Sequence, residues 1–354
     1  MLKESMAPPR SNNNNVSFRE VRDFLTARPG ALADDRTALM RVVDGFCKAN
    51  DDPSTSENFA NGLTDRWEEI IRLLRNPLID EDDPVLLLTL RAVKILSRKH
   101  ENRMTFGDNG VAAVCRVLKK GYVNPRVAGE GANVVLNVCY ERANVDMVIR
   151  AGGVPPLVKA LGATDRDLVA NAAGAIQSVC FQETGRAAVR ETGAISLLVN
   201  LLDNPTQKVQ TRAVGALHNL SSDAEAIRTI RKQGGIPKLV KLLESTAPGV
   251  CGSAAGALQN VSREVASRGE IKDLGAVPLL AELLPGADLQ AQVCAAGALL
   301  NILGPEMGEN VSHPARKGFG KVLSCTIALA AVYDGLFDSE ENPPMNGCVL
   351  PSQE

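Results

Sequence analysis

Apolar and polar positions alternate with a helical period along most of the chain, and the helical pattern itself recurs. The segments GGVPPLVKAL from Gly152, GAISLLVNLL from Gly193, GGIPKLVKLL from Gly234 and GAVPLLAELL from Gly275 open on glycine and an apolar residue, each 41 residues after the last. A weaker copy, NGVAAVCRVL, starts at Asn109, 43 residues before the first of these. The second half of the unit recurs as GANVVLN, AAGAIQS, AVGALHN, AAGALQN and AAGALLN, ending at Asn137, Ser178, Asn219, Asn260 and Asn301 with a constant spacing of 41. The two extra residues of the first unit therefore fall in its connection, around Gly121 to Pro125. A fixed period of this length marks a stack of supersecondary units, each burying its apolar face against its neighbours.

Each unit reads as three helices. A short one, such as Ala224 to Lys232, precedes the glycine turn, and Gly234-Gly235 ends it, as glycine does just past a helix. Pro237 then falls in the first turn of the second helix, where a missing N–H costs nothing. A polar break such as Leu202-Asp203-Asn204-Pro205 ends that helix. The third helix carries the Ala-Gly-Ala-Leu run, whose small residues let neighbouring helix backbones approach closely.

A unit of about forty residues with G-G-[IV]-P-x-L-[VL] followed by A-A-G-A-L-x-N resembles the armadillo repeat of β-catenin and its relatives. The resemblance covers Asn109 to about Gly304 and implies an all-α fold, an α-solenoid of three-helix repeats with helical caps at both ends. Residues 63–108 read as a diverged copy: Trp67 and the Glu-Glu-Ile-Ile-Arg-Leu-Leu after it supply the second helix, and Val85 to Leu96 the third, with Lys94 where the asparagine would fall. Residues 16–62 read as a helical N-terminal cap and linker, with two amphipathic stretches joined at Pro29-Gly30. Residues 305–338 read as C-terminal capping helices. Residues 1–15, with the run Asn12 to Asn15, and the tail 339–354, with Pro343-Pro344, read as disordered.

Composition narrows the function. Hydrophobic residues make up 45% of the 354 and aromatic ones only 3%, so the core is alanine, leucine and valine, suited to close helix packing. A net charge of −2 argues against bulk electrostatic binding to nucleic acid or anionic lipid. The eight cysteines form no C-x-x-C pair, and in a chain without an apolar leader they read as reduced thiols of a cytoplasmic protein, with a nuclear location also open. The longest apolar run, Val322 to Val332, is too short to span a bilayer, so membrane insertion is not expected.

The resemblance implies where a partner would lie. In the family, the third helices line the inner surface of a curved stack, and the terminal asparagine of each hydrogen-bonds the backbone of an extended peptide. Asn137, Asn219, Asn260 and Asn301 match those positions, and Ser178 departs from them. The alternative is that these side chains cap or bridge neighbouring helices; one asparagine can do both. Four residues before each lie Asn133, Gly174, Gly215, Gly256 and Gly297. Importin-α usually carries tryptophan in that slot, and its absence here disfavours recognition of nuclear-localisation signals. Seven and eleven residues before each ladder position, on the same face, lie Glu130 and Arg126, Asn171 and Asp167, Arg212 and Lys208, Ser253 and Gly249, then Cys294 and Gln290. The one concentrated positive charge is Lys208 with Arg212, while Arg126 is offset by Glu130.

Chemistry is sparse. His100, His218 and His313 stand apart, without metal-ligand spacing, so neither catalytic nor metal-binding residues nor a cofactor are expected. His218 directly precedes a ladder asparagine and reads as a packing residue or one at the groove edge. Asp80 to Asp83 read as an acidic helix start. The expected function is a non-catalytic protein-binding scaffold or adaptor that holds an extended or helical partner segment. A second reading is a regulator that promotes nucleotide exchange on a small GTPase or chaperone.

Overall fold

The computed structural model describes residues 18–53, 67–120 and 124–303, and among them are twenty α-helices, one 3-10 helix and no strand. The segments expected to be disordered, 1–15 and 339–354, the C-terminal caps at 305–338 and part of the linker before 63 lie outside the described residues. The chain divides at Thr105–Phe106 into two compact units.

The first unit comprises α1 (Phe18–Ala27), α2 (Ala31–Asp34), α3 (Arg36–Asn50), α4 (Glu68–Arg75), a 3-10 turn at Pro77–Glu81, α5 (Asp83–Leu96) and α6 (His100–Met104). Pro29 and Gly30 separate α1 from α2, since proline ends the hydrogen-bond ladder. The acidic run is a helix start: the Asp82 carboxylate caps α5 by accepting from the Val85 N–H at 3.3 Å and receives Arg36 Nη2 at 2.8 Å. Phe18 and Phe46 meet edge to face at 5.5 Å, and Leu39, Ile70, Leu74 and Leu90 are fully buried.

The second unit holds the repeats. Its first members are α7 (Gly107–Lys120) and α8 (Pro125–Val138). Three helices follow in each of the next four repeats: α9 (Arg142–Arg150), α10 (Val154–Ala160) and α11 (Arg166–Val179); α12 (Glu183–Glu191), α13 (Ala194–Leu201) and α14 (Gln207–Leu220); α15 (Ala224–Lys232), α16 (Gly235–Leu242) and α17 (Pro248–Val261); α18 (Val265–Asp273), α19 (Ala276–Leu283) and α20 (Leu289–Leu303). The turns between first and second helices hold Gly152, Gly193, Gly234 and Gly275 at φ between 66° and 76°, the left-handed region that other residues avoid. In the weaker first copy the sequence pattern places the turn at Asn109-Gly110. The structure places it at Gly107, with φ 65°, and Gly110 lies inside α7.

Side chains close the helix ends. Asp165 accepts from the Leu168 N–H at 2.8 Å and Asp223 from the Ala226 N–H at 2.9 Å, each satisfying a donor at a helix start. At the other end, carbonyls at the ends of α8, α11 and α17 are met by the following first helix. Asn144 Nδ2 donates to Val138 O at 2.9 Å, Arg186 Nη1 to Cys180 O at 3.2 Å, and Arg268 Nε to Ser262 O at 2.7 Å. Successive repeats are also linked by the ion pairs Arg190–Asp223 and Arg231–Glu264, both at 2.8 Å, and Arg231 holds the Glu264 carboxyl below its usual range.

Third helices stack on third helices in chain order, α8 on α11, α11 on α14, α14 on α17 and α17 on α20. This regularity makes whole units exchangeable. Deleting residues 194–234 joins Gly193 to Gly235 and brings α17 against α11. The product should remain soluble and helical by circular dichroism and run as a compact species in gel filtration. Deleting half that length should expose apolar faces and aggregate; identical behaviour of the two deletions would refute the repeat stack.

Candidate partner-binding surface

The third helices pack against second helices on one side (α10 on α11, α13 on α14, α16 on α17, α19 on α20) and against each other on their flanks, which leaves one face of the row for a partner. The positions singled out from the sequence sort by depth on that row. Arg126, Asp167, Lys208 and Gly249 are exposed; Glu130, Asn171 and Arg212 are half-buried; Ser253 and Cys294 are buried.

The ladder amides point along the row, into the preceding repeat. Asn219 Nδ2 donates to Gln177 O at 2.9 Å. Asn260 Nδ2 donates to His218 O at 3.4 Å and to Ser221 Oγ at 3.1 Å, and Asn301 Nδ2 to Gln259 O and Ser262 Oγ, both at 3.1 Å. Each thus bridges third helices one repeat apart. Asn171 does the same one layer away, donating to Gly129 O at 3.2 Å. Asn219 is 2% exposed and Ser178 4%, so both are enclosed by the stack, whereas Asn137, Asn260 and Asn301 are partly exposed. Because the Nδ2 donors of Asn260 and Asn301 are engaged within the stack, their free capacity toward a partner is the carbonyl Oδ1.

A second row was missed in the sequence. The residue just before each ladder position packs onto the glycine four before the ladder position of the next repeat. A Cβ added to Gly174 would lie 2.5 Å from Leu136 Cδ1; one on Gly215 would run into the Gln177 amide, on Gly256 into the His218 ring, and on Gly297 into the Gln259 amide. These glycines are therefore sockets for the neighbouring repeat. The signal was present as large residues at one offset facing glycines at another, 38 residues on. His218 consequently sits in the core, fully buried, with neither ring nitrogen hydrogen-bonded, and burial pushes its pKa down to about 4.

The cationic pair separates into two different situations. Lys208 Nζ lies 3.3 Å from Asp167 Oδ1, the residue at the same offset one repeat earlier, so this exposed charge is already matched. Arg212 has no hydrogen bond or ion pair with any described residue. Its Cδ and Nε lie 3.3 and 3.4 Å from where a Gly174 Cβ would be, so its stem crosses the α11 backbone. Burial lowers its pKa, with Tyr140 as the group acting in the other direction.

Cys47, Cys115, Cys139, Cys180, Cys251 and Cys294 are buried, and burial raises the Cys115 and Cys294 thiols to about 11, as suits packing residues. Among the described residues no group of three or more His, Cys, Asp or Glu could hold a metal ion, and no helix is long and apolar enough to cross a membrane.

Helical triplets repeating at a fixed period, joined through one continuous row of third helices, define an α-solenoid of the kind that serves as a protein-binding scaffold. Within it, residues 142–181, 183–222 and 223–263 match the Armadillo/beta-catenin-like repeat, so the chain contains armadillo repeats. Among solved structures, an engineered protein is similar over 80% of this chain and 68% of its own, at 26% identity and a TM-score of 0.68. A designed armadillo repeat protein covers 66% of this chain and 98% of its own, at 24% identity and a TM-score of 0.61. Another, in complex with the peptide (KR)4, covers 67% and 99%, at 24% identity and a TM-score of 0.59. The last two likenesses concern the fold alone. No curated protein matches the sequence.

Proposed function

We propose that the chain is a non-catalytic adaptor of the cytoplasm or nucleus that holds an extended segment of a partner protein along the free face of its third-helix row. The observation that carries this reading is the row itself. It presents equivalent exposed positions once per repeat, at residues 126, 167, 208 and 249, and partly exposed asparagines at residues 137, 260 and 301. An extended chain offers backbone N–H groups at regular intervals, so a periodic acceptor row gives affinity with little demand on sequence. A designed armadillo repeat protein in complex with the peptide (KR)4 is in keeping with peptide binding by this fold.

Gly249 supplies the test. It is exposed, and a Cβ there would meet only Thr211 Cγ2 at 3.8 Å, so a large side chain can stand on the row without disturbing the core. Gly249→Trp should leave the melting temperature unchanged or raised, since glycine is a poor helix residue. It should also weaken extended peptides selected by display on the full chain by about tenfold or more, ~1.4 kcal/mol. Gly269→Trp, on the exposed side of a first helix with open space around it, serves as the control and should bind as the parent does. Equal binding by both variants would place the partner elsewhere.

A further inference from the structure

The last repeat is apolar at positions where the earlier ones are polar. Among the described residues six large apolar side chains are exposed, and four of them, Val265, Leu274, Leu289 and Leu300, belong to this one repeat. At the same offsets the earlier repeats carry Glu183, Gln233, Gln207 and Gln259. Leu300 stands just before a ladder position, the place from which Leu136, Gln177, His218 and Gln259 each fill a glycine socket in the next repeat. Leu136 is 7% exposed there and Leu300 52%, so Leu300 is a plug with no socket among the described residues. Leu289 and Val293 lie eleven and seven residues before it and Leu303 three after, so the four share one stripe of α20. Leu303 is half-buried, whereas Cys180, Ser221 and Ser262 at its offset are fully buried. Within the array, the following third helix packs on this stripe.

We infer that residues 321–334 of the same chain cover it, as one more helix of the third-helix kind with Ala330 seated on Leu300. The segment ALAAVYD at 328–334 repeats the pattern of AAGALLN at 295–301. Carried through the helix, this register sets Ile327, Ala331 and Val332 at the offsets of Cys294, Ala298 and Leu299, which are buried in α20. Asp334 falls 33 residues after Asn301 rather than 41, so the unit is a truncated one. An alanine in the socket needs the Leu300 side chain to turn aside, as the free end of a leucine can. The short connection from Leu303 keeps the segment at a local concentration on the order of millimolar, which a separate chain does not reach. A second copy stacked head to tail would instead set Leu300 against Asn133, the polar residue at the socket offset of α8. Asp334 takes the ladder offset, and a carboxylate has no N–H to donate, so the run of bridging amides stops at Asn301. None of this depends on what the row binds.

Hydrogen–deuterium exchange of the full chain, read by mass spectrometry on peptides spanning residues 321–334, tests the assignment. The segment should exchange at least about tenfold more slowly than an unfolded peptide of the same sequence, equally at high and low protein concentration. Leu300→Asp should remove most of that protection, while Leu274→Asp, which lies off the stripe, should leave it. Ala330→Leu, which alters no described residue, should also weaken it. Adding Leu300→Ala to Ala330→Leu should restore it, because the new side chain takes the place of the old plug; a general loss of structure would not be rescued this way. Absence of protection in the parent, protection that survives Leu300→Asp, or failure of the double variant to recover overturns the assignment. Protection that grows with protein concentration also overturns it, and would put a second copy on the face.

Discussion

His218→Gln should remove an acid-sensitive step from the stability of this protein, at almost no cost near neutral pH. The imidazole is fully buried and its pKa falls from 6.5 to about 4, with burial as the sole cause. Between those values the unfolded chain binds a proton that the folded chain refuses. Stability is therefore complete above about pH 6.5 and is lost as pH falls to about 4. The shift corresponds to about 3 kcal/mol. Glutamine is the residue that the neighbouring repeats use in the same slot, Gln177 before it and Gln259 after it, so the substitution is sterically matched. Urea midpoints of both proteins between pH 4 and 7 give the test. The variant should gain on the parent steadily as pH falls, while carboxylates such as Glu264 affect both curves alike. Parallel curves would mean that His218 is charged, or solvated, in the folded state.

Gly256→Ala should destabilise by about 2 kcal/mol, although alanine is the better helix residue, because the new methyl enters the space of the His218 ring. The ring is enclosed on all sides and cannot swing away cheaply. His218→Ala alone should also destabilise, by leaving a void. In the double variant the methyl fills part of that void, so the combined loss should fall short of the sum by about 1 kcal/mol or more. Additive losses would show that residue 256 and residue 218 do not share one socket. The same contact explains why tryptophan cannot simply be placed in the glycine row: the position is occupied by the preceding repeat.

The repeat was legible because its signals are local. Turn glycines, cap residues and the run of small residues all act within one unit, and their spacing of 41 needs no tertiary information. The turn in the first copy was misplaced by a few residues because Gly107 and Gly110 both suit a turn, and only packing selects Gly107. The candidate surface was less legible because it depends on contacts between repeats. The sequence pattern groups Asp167 with Asn171 and Lys208 with Arg212, each within its own helix. Yet Asp167 and Lys208 occupy the same offset in adjacent units, and stacking brings them to 3.3 Å. Asn219, Asn260 and Asn301 share one offset in the repeat, but the direction of their amides is set by the carbonyls of Gln177, His218 and Gln259, one repeat earlier. No single-unit pattern carries that information.

The central claim is that a partner lies on the third-helix row. Photo-crosslinking tests it most directly, with a display-selected extended peptide carrying one benzoylphenylalanine and the modified residues read by mass spectrometry. The account predicts adducts on α11, α14 and α17, lost in Gly249→Trp. Adducts confined to the first helices α9, α12, α15 and α18, or to the unit before Phe106, would contradict it.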